Sequence, residues 1–338
     1  MHLRGACLGT VMLILTACSG STPTPAQAEW TTPLEEEEGA LLSVLSHGGD
    51  IWATGANGGS GGTVLRLHDG QWEREATNTQ ADLWWIAAHP DGDLYTVGSQ
   101  GTVLRRDADA NYSALESATE MTLYGVWFNS AGEGWIAAGD PLADGMNNPR
   151  GMLLHIVNGQ VETESAVPAS IAGHLMFKVW GPPGQSDVAY AVGDGGYMLQ
   201  WNDDQWVEVD SGSSARLVTI SGDASQRAIV GGTNQPTLLF DDGNGLMDIS
   251  TELPAGAQGL NGVFVRDESL VVVGNLGFAA LRDPDGLWTN DYVGAGGLGL
   301  HAVTIDDMGE IWAVGGNLLS LTQGYLAHYG TGSVPTID

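Results

Sequence analysis

A short apolar stretch closed by glycine returns seven times along this chain, and it limits the possible folds more than any other feature. It begins as Ile51-Trp52-Ala53-Thr54-Gly55 and ends as Ile311-Trp312-Ala313-Val314-Gly315. Between them stand the copies closed by Gly98, Gly139, Gly193, Gly231 and Gly274. The closing glycines are 43, 41, 54, 38, 43 and 41 residues apart. A β-rich unit at this period is one blade of a propeller. The repeat therefore predicts an all-β, seven-bladed β-propeller of four-stranded blades over residues 29–330, with 331–338 a flexible tail.

Each unit reads as four strands. Strand a centres on Val44, Ile86, Val126, Val179, Val218, Val263 and Val303. Strand b is the glycine-closed stretch. Strand c follows, as in Thr63–Leu67 or Tyr325–His328, and strand d starts at Trp72, Tyr112, Val161, Trp206, Met247 and Trp288. These runs are apolar on both sides, as expected of sheets packed on two faces. Asp69-Gly70, Asn158-Gly159, Asp242-Gly243 and Asp285-Gly286 are hairpin dipeptides between strands c and d.

The seventh unit lacks a fourth strand after Tyr329. Glu29-Trp30-Thr31-Thr32 resembles Gln71-Trp72-Glu73-Arg74, and Trp30 precedes Val44 by 14 residues, as Trp72 precedes Ile86. An N-terminal strand is thus expected to close the ring against Gly324–Tyr329. The acid run Glu35–Glu38 reads as a solvated connector.

The chain carries 41 acidic residues against ten Arg and one Lys, a formal charge of −30. That balance excludes nucleic acid as a partner, because phosphate binding needs a basic patch. No cofactor is indicated. Calcium or another divalent cation has no motif to support it, since Asp241-Asp242-Gly243-Asn244-Gly245 fails the EF-hand spacing, and no metal site is expected.

Residues 1–17 have a basic start and a short apolar core, as a signal peptide does. They run into Leu15-Thr16-Ala17-Cys18, which resembles the lipobox of bacterial lipoproteins. The resemblance implies a lipidated Cys18 as mature N-terminus and a flexible tether over 18–28. With Ser19 next, it also implies export to the outer membrane of a Gram-negative bacterium. Membrane contact would then run through the lipid alone. The unit Val179-Trp180-Gly181, Tyr190-Ala191-Val192-Gly193, Leu199, Trp201, Trp206 is similar to that of bacterial surface lipoproteins built as seven-bladed propellers. More distantly it resembles WD-repeat, Asp-box (sialidase-like) and photosystem II assembly-factor propellers. No Trp-Asp pair closes a blade, and the Asp-box order is missing, so the resemblance implies the fold and leaves function open.

Several motifs carry chemistry by their letters only. Gly58–Gly62 fits a nucleophile elbow but lies between two strands. Gly294–Gly299 fits a dinucleotide fingerprint with no helix to follow. His68, His155 and His328 fall near the same point at the end of strand c in blades 1, 3 and 7, so they point outward on different blades and cannot meet at one ion. The expected function is a lipid-anchored surface binding or scaffold module that recognises a protein or glycan partner at the cell envelope. The alternative is a sialidase-like or lyase-like propeller enzyme acting on carbohydrate. The longest b–c connection, Asp140–Gly151 in blade 3, supplies candidate binding residues Asp140, Asp144, Asn147, Asn148 and Arg150. Trp84, Trp127 and Trp180, on strand a near the channel, are aromatic candidates. No residue is assigned a catalytic role.

Overall fold

A computed structural model describes residues 28–202, 204–294 and 296–337. The signal peptide, Cys18 and the tether up to residue 27 lie outside the described residues. Within them the chain forms seven sheets, each of four antiparallel strands. Strand a of each blade packs against strand a of the next, and that of blade 7 packs on that of blade 1. These innermost strands are Leu41–His47, Leu83–Ala88, Thr122–Phe128, Met176–Trp180, Leu217–Gly222, Leu260–Arg266 and Gly299–Ile305. They surround the ring axis.

The core lies between blades. One cluster joins Val271, Val273 and Ala279 of blade 6 to Val303, Ile311 and Tyr325 of blade 7. Another joins Ile136 and Leu154 of blade 3 to Tyr95 and Val97 of blade 2. The strand-b aromatics Trp52, Tyr95, Tyr190 and Trp312 are buried in these seams. A recurrent a–b turn fixes some of them. Asp306 Oδ1 accepts the N–H groups of Met308 and Glu310 at 2.9 Å each, and Oδ2 accepts the indole N–H of Trp312 at 2.9 Å. Asn129 folds its own turn in the same way, with Ala131 and Glu133 as donors.

Blade 7 is completed from the N-terminus. Strand Glu29–Gly39 pairs antiparallel with strand c, Thr322–Gly330, in a register running from Glu29 opposite Gly330 to Gly39 opposite Thr322. Trp30 packs on Tyr329 with ring centroids 5.4 Å apart, and Leu34 is buried with Leu41, Trp312 and Leu326.

Three expectations are corrected here. Glu35–Glu38 is part of this strand and not a connector. Its Glu35, Glu36 and Glu38 face solvent, whereas Glu37 is buried and holds Arg74 of blade 1 by two bonds of 3.0 and 2.6 Å. The b–c connections of blades 1 and 7 are shorter than the sequence suggests, because their strands run on to Asn57 and Asn317 and resume at Gly62 and Thr322. Residues 331–337 do not hang free. Ile337 donates its N–H to Pro33 O at 3.2 Å, and Trp72 donates its indole N–H to Pro335 O at 3.1 Å.

Candidate functional site

In six of the seven blades the glycine that closes strand b has a steric cause. A Cβ built on Gly98 would lie 2.1 Å from Asp82 O, and one on Gly231 would lie 1.8 Å from Arg216 O. Strand a approaches so closely because it bulges there. In every blade one extra residue interrupts the a–b register: Leu42, Trp84, Tyr124, Phe177, Val218, Asn261 and His301 in turn. A bulge re-aims the residue it adds.

These side chains point to the axis, and contacts between non-neighbouring blades prove it. Trp84 of blade 2 meets His301 of blade 7 edge-on at 5.8 Å. Trp84 also touches Tyr124 at 5.0 Å, and Tyr124 touches Phe177 at 5.3 Å. An exposed guanidinium, Arg216, stands 5.6 Å from the Phe177 ring. The result is a mouth that is aromatic over blades 2 to 4 and polar over blades 6 and 7. There Asn261 donates its amide N–H to Leu300 O at 2.8 Å, and His301 donates its Nδ1–H to Leu42 O.

One residue further along strand a lies Lys178 of blade 4. It donates to Tyr124 O at 2.8 Å, and its ammonium sits 3.4 Å from the Trp85 ring of blade 2. Burial pushes its amine well below the usual lysine range. Burial, followed by the charge of Lys178, also lowers the His301 imidazole to about 4, against the opposing pull of the Leu42 carbonyl. At neutral pH His301 is therefore neutral, with Nε2 as an acceptor.

The predicted residues divide into three groups. Trp84 is in the mouth, and Asp140 directly follows Gly139, which the Tyr124 ring borders. Asp144 instead folds its own loop. Its carboxylate accepts the N–H groups of Asn148, Met146 and Asn147 at 2.9–3.0 Å, which hold its pKa down to about 2. Arg150 is committed to Gly173 O at 3.1 Å and Asp194 at 3.0 Å. The loop thus turns polar groups such as Asp144 and Arg150 onto its own frame and blade 4, while Leu142 and Met146 are 93% and 86% exposed. Trp127 and Trp180 are away from the mouth. They oppose Trp135 and Tyr190 near the other end of strand a and cover Gly181 and Gly222 of the next blade. Tyr124, Phe177, Lys178 and His301 escaped the sequence reading.

His68, His155 and His328 are structural. His68 binds Asp50, His155 stacks on Trp135, and His328 is bonded to Glu310. Among the described residues no group of three or more His, Cys, Asp or Glu side chains gathers as a metal site would, and no helix is long and apolar enough to cross a membrane. A cleft of about 890 Å³ opens between blades 6 and 7, lined by Trp30, Tyr292, Tyr325, Glu35, Glu36 and Glu38. A second cleft, of about 250 Å³, is lined by Ala28, Glu29, Trp30 and Tyr329.

No protein-family profile matches the sequence, and no curated protein does. Solved structures do match in fold. Virginiamycin B lyase from Staphylococcus aureus is 10% identical, with a TM-score of 0.69 over 90% of this chain and 98% of that one. The WD40 β-propeller domain of Doa1 is 8% identical, also at 0.69, over 92% and 100%. YCF48 bound to D1 peptide is 16% identical at 0.64, over 91% and 99%. At such identities the likeness is one of fold.

Proposed function

We propose that this chain is a binding propeller that docks a protein partner on the face carrying the b–c loops and admits an extended segment of that partner to the axial mouth. The observation that carries this is the mouth itself, where seven repeat-equivalent bulges gather Trp84, Tyr124 and Phe177 on one side. Aromatic surfaces of this kind anchor partners. The neighbouring loops present Leu142, Met146 and Leu319, all more than 80% exposed. That apolar flank favours a protein over a glycan. YCF48 with its D1 peptide is a precedent for peptide capture by this fold.

The anchoring reading fits the same geometry. A lipid on Cys18 and a short tether would reach the ring at Glu29, at the end of blade 7 that carries the a–b and c–d turns. The b–c face would then point away from an outer membrane. A Cys18→Ala variant is expected to lose palmitate label and to fold as a soluble protein; retention of label would end this part of the reading.

The docking face is tested by photo-crosslinking in the source cells. A photoreactive residue replaces Met146 on the b–c face, or Met308, 79% exposed on the opposite face. A discrete adduct is expected from position 146 and not from 308. Equal adducts from both, or none from 146, would refute it.

A second reading rests on His301. A neutral imidazole at the axis can accept a proton through Nε2, as a weak base given its lowered pKa, and virginiamycin B lyase has the same fold. Turnover of a streptogramin B that is lost in His301→Ala would favour an enzyme; no turnover by the wild-type chain would remove this reading.

A further inference from the structure

Lys178 is the one lysine of the chain, and it is 5% exposed. An ammonium has three donors. Among the described residues one is taken by Tyr124 O, and the Trp85 face covers the group. Desolvation alone sets its titration, with no carboxylate opposing it. Buried charges are ordinarily paired, and this chain has 41 acidic side chains from which to pair one. The groups that face Lys178 come from three other blades: Trp85, the Tyr124 backbone, and His301, which feels its charge. Above it, at the mouth, Arg216 lies against Phe177. The axis therefore holds a buried amine with no carboxylate partner among the described residues, beneath an aromatic mouth, in a strongly acidic protein.

We propose that the axial channel is a receptor for an apolar carboxylate, its hydrocarbon body held among Trp84, Tyr124 and Phe177 and its anionic end paired with the Lys178 ammonium. This rests on the reading of the mouth as the docking site, and it names the group that the partner brings there. The carboxylate belongs to a peptide or to a free organic acid. The charged hydrogen bond is strong in a dry site. The aromatic rings supply affinity for the body, and the carboxylate replaces the counter-ion that Lys178 lacks. Where the amine is neutral before binding, binding takes up a proton, so affinity falls as pH rises.

A single lysine makes the test direct. The full chain labelled with [13C]lysine gives one Cε resonance. Titration with 3-phenylpropionate is expected to shift it, and 3-phenylpropionamide is expected to bind about 10- to 100-fold more weakly. Lys178→Met should lose the same factor for the acid and leave the amide unchanged. A tripeptide ending in phenylalanine, as free acid and as C-terminal amide, distinguishes a peptide source from a small acid. A resonance unmoved by saturating 3-phenylpropionate, or moved equally by the amide, would overturn the proposal and leave a lysine held by Trp85 and the Tyr124 carbonyl. The resonance decides even if Lys178→Met fails to fold. Adducts at position 146 from the unsubstituted chain, with no acid binding to it, would sink the carboxylate and spare the docking face.

Discussion

Replacing Leu34 by Ala tests the closure of the ring. Leu34 is 8% exposed and packs on Leu41, Trp312, Val314 and Leu326, which belong to blades 1 and 7. Truncating a buried leucine costs about 2–5 kcal/mol. The site lies on an outer strand that can relax, so about 2 kcal/mol is expected. For a chain of this size that corresponds to at most about 4–8 °C in Tm. The local signature should be larger than the global one. Strand Glu29–Gly39 is held by one neighbouring strand, strand c of blade 7, by the Glu37–Arg74 pair and by the Ile337–Pro33 bond. It can open without the other blades. Amide exchange at Leu326 and His328 should then rise about 30-fold, the equivalent of 2 kcal/mol. Leu287→Ala is the control, since Leu287 is 67% exposed and should stay within about 0.5 kcal/mol. If Leu34→Ala cannot be told from Leu287→Ala by denaturant midpoint and by exchange, the N-terminal strand does not close the ring.

Three further outcomes are expected. His301 has its folded pKa depressed to about 4 from 6.5, so the unfolded chain binds more protons between those values. Its contribution is fully present above pH 6.5 and is lost as pH falls to about 4. It amounts to at most about 3 kcal/mol, and His301→Phe should flatten that part of a denaturation–pH curve. Gly231→Ala puts a methyl 1.8 Å from Arg216 O and should cost about 1–3 kcal/mol or more; a neutral result by thermal melting would show that the bulge is not rigid. Asp144→Ala removes the acceptor of three backbone N–H groups, so limited proteolysis should cut between Leu142 and Asn148 while the melting temperature holds.

The anchor glycines were legible because they report a backbone collision, which no other residue can occupy. Gly139 is the exception. It opposes Thr122 in place of the residue next to the bulge, and the long blade 3 connection follows it directly. Closure was legible through Trp30, whose spacing repeats that of Trp72. The axial residues were not, because the bulge breaks the alternation of strand a by one residue and sends Tyr124 and Phe177 out of phase with their neighbours. The available signal was the residue two before the strand-a valine or isoleucine in six blades; in blade 5 the bulge is Val218 itself, which the sequence reading took for the strand centre. The blade 3 loop misled for another reason. Composition counts polar atoms without saying whether they face outward, and Asp144 and Arg150 are consumed within the fold. Glu35–Glu38 misled because four adjacent acids argue against a strand unless it is an outer one with a basic neighbour for the buried member, as Glu37 has in Arg74.

The closing strand also imposes an order of events on synthesis. Thr31 and its partner His328 are 297 residues apart. At about 5–20 residues per second, the first strand waits roughly 15–60 s for the last to be made. Throughout that time it is an unpaired ribbon, while successive blades offer it outer edges to which it does not belong. Three of its acids, Glu35, Glu36 and Glu38, keep facing solvent even when it docks. Charge of this kind acts as a gatekeeper against premature pairing. The acid run thus guards the nascent chain, and Glu37 is the member that the finished ring reclaims.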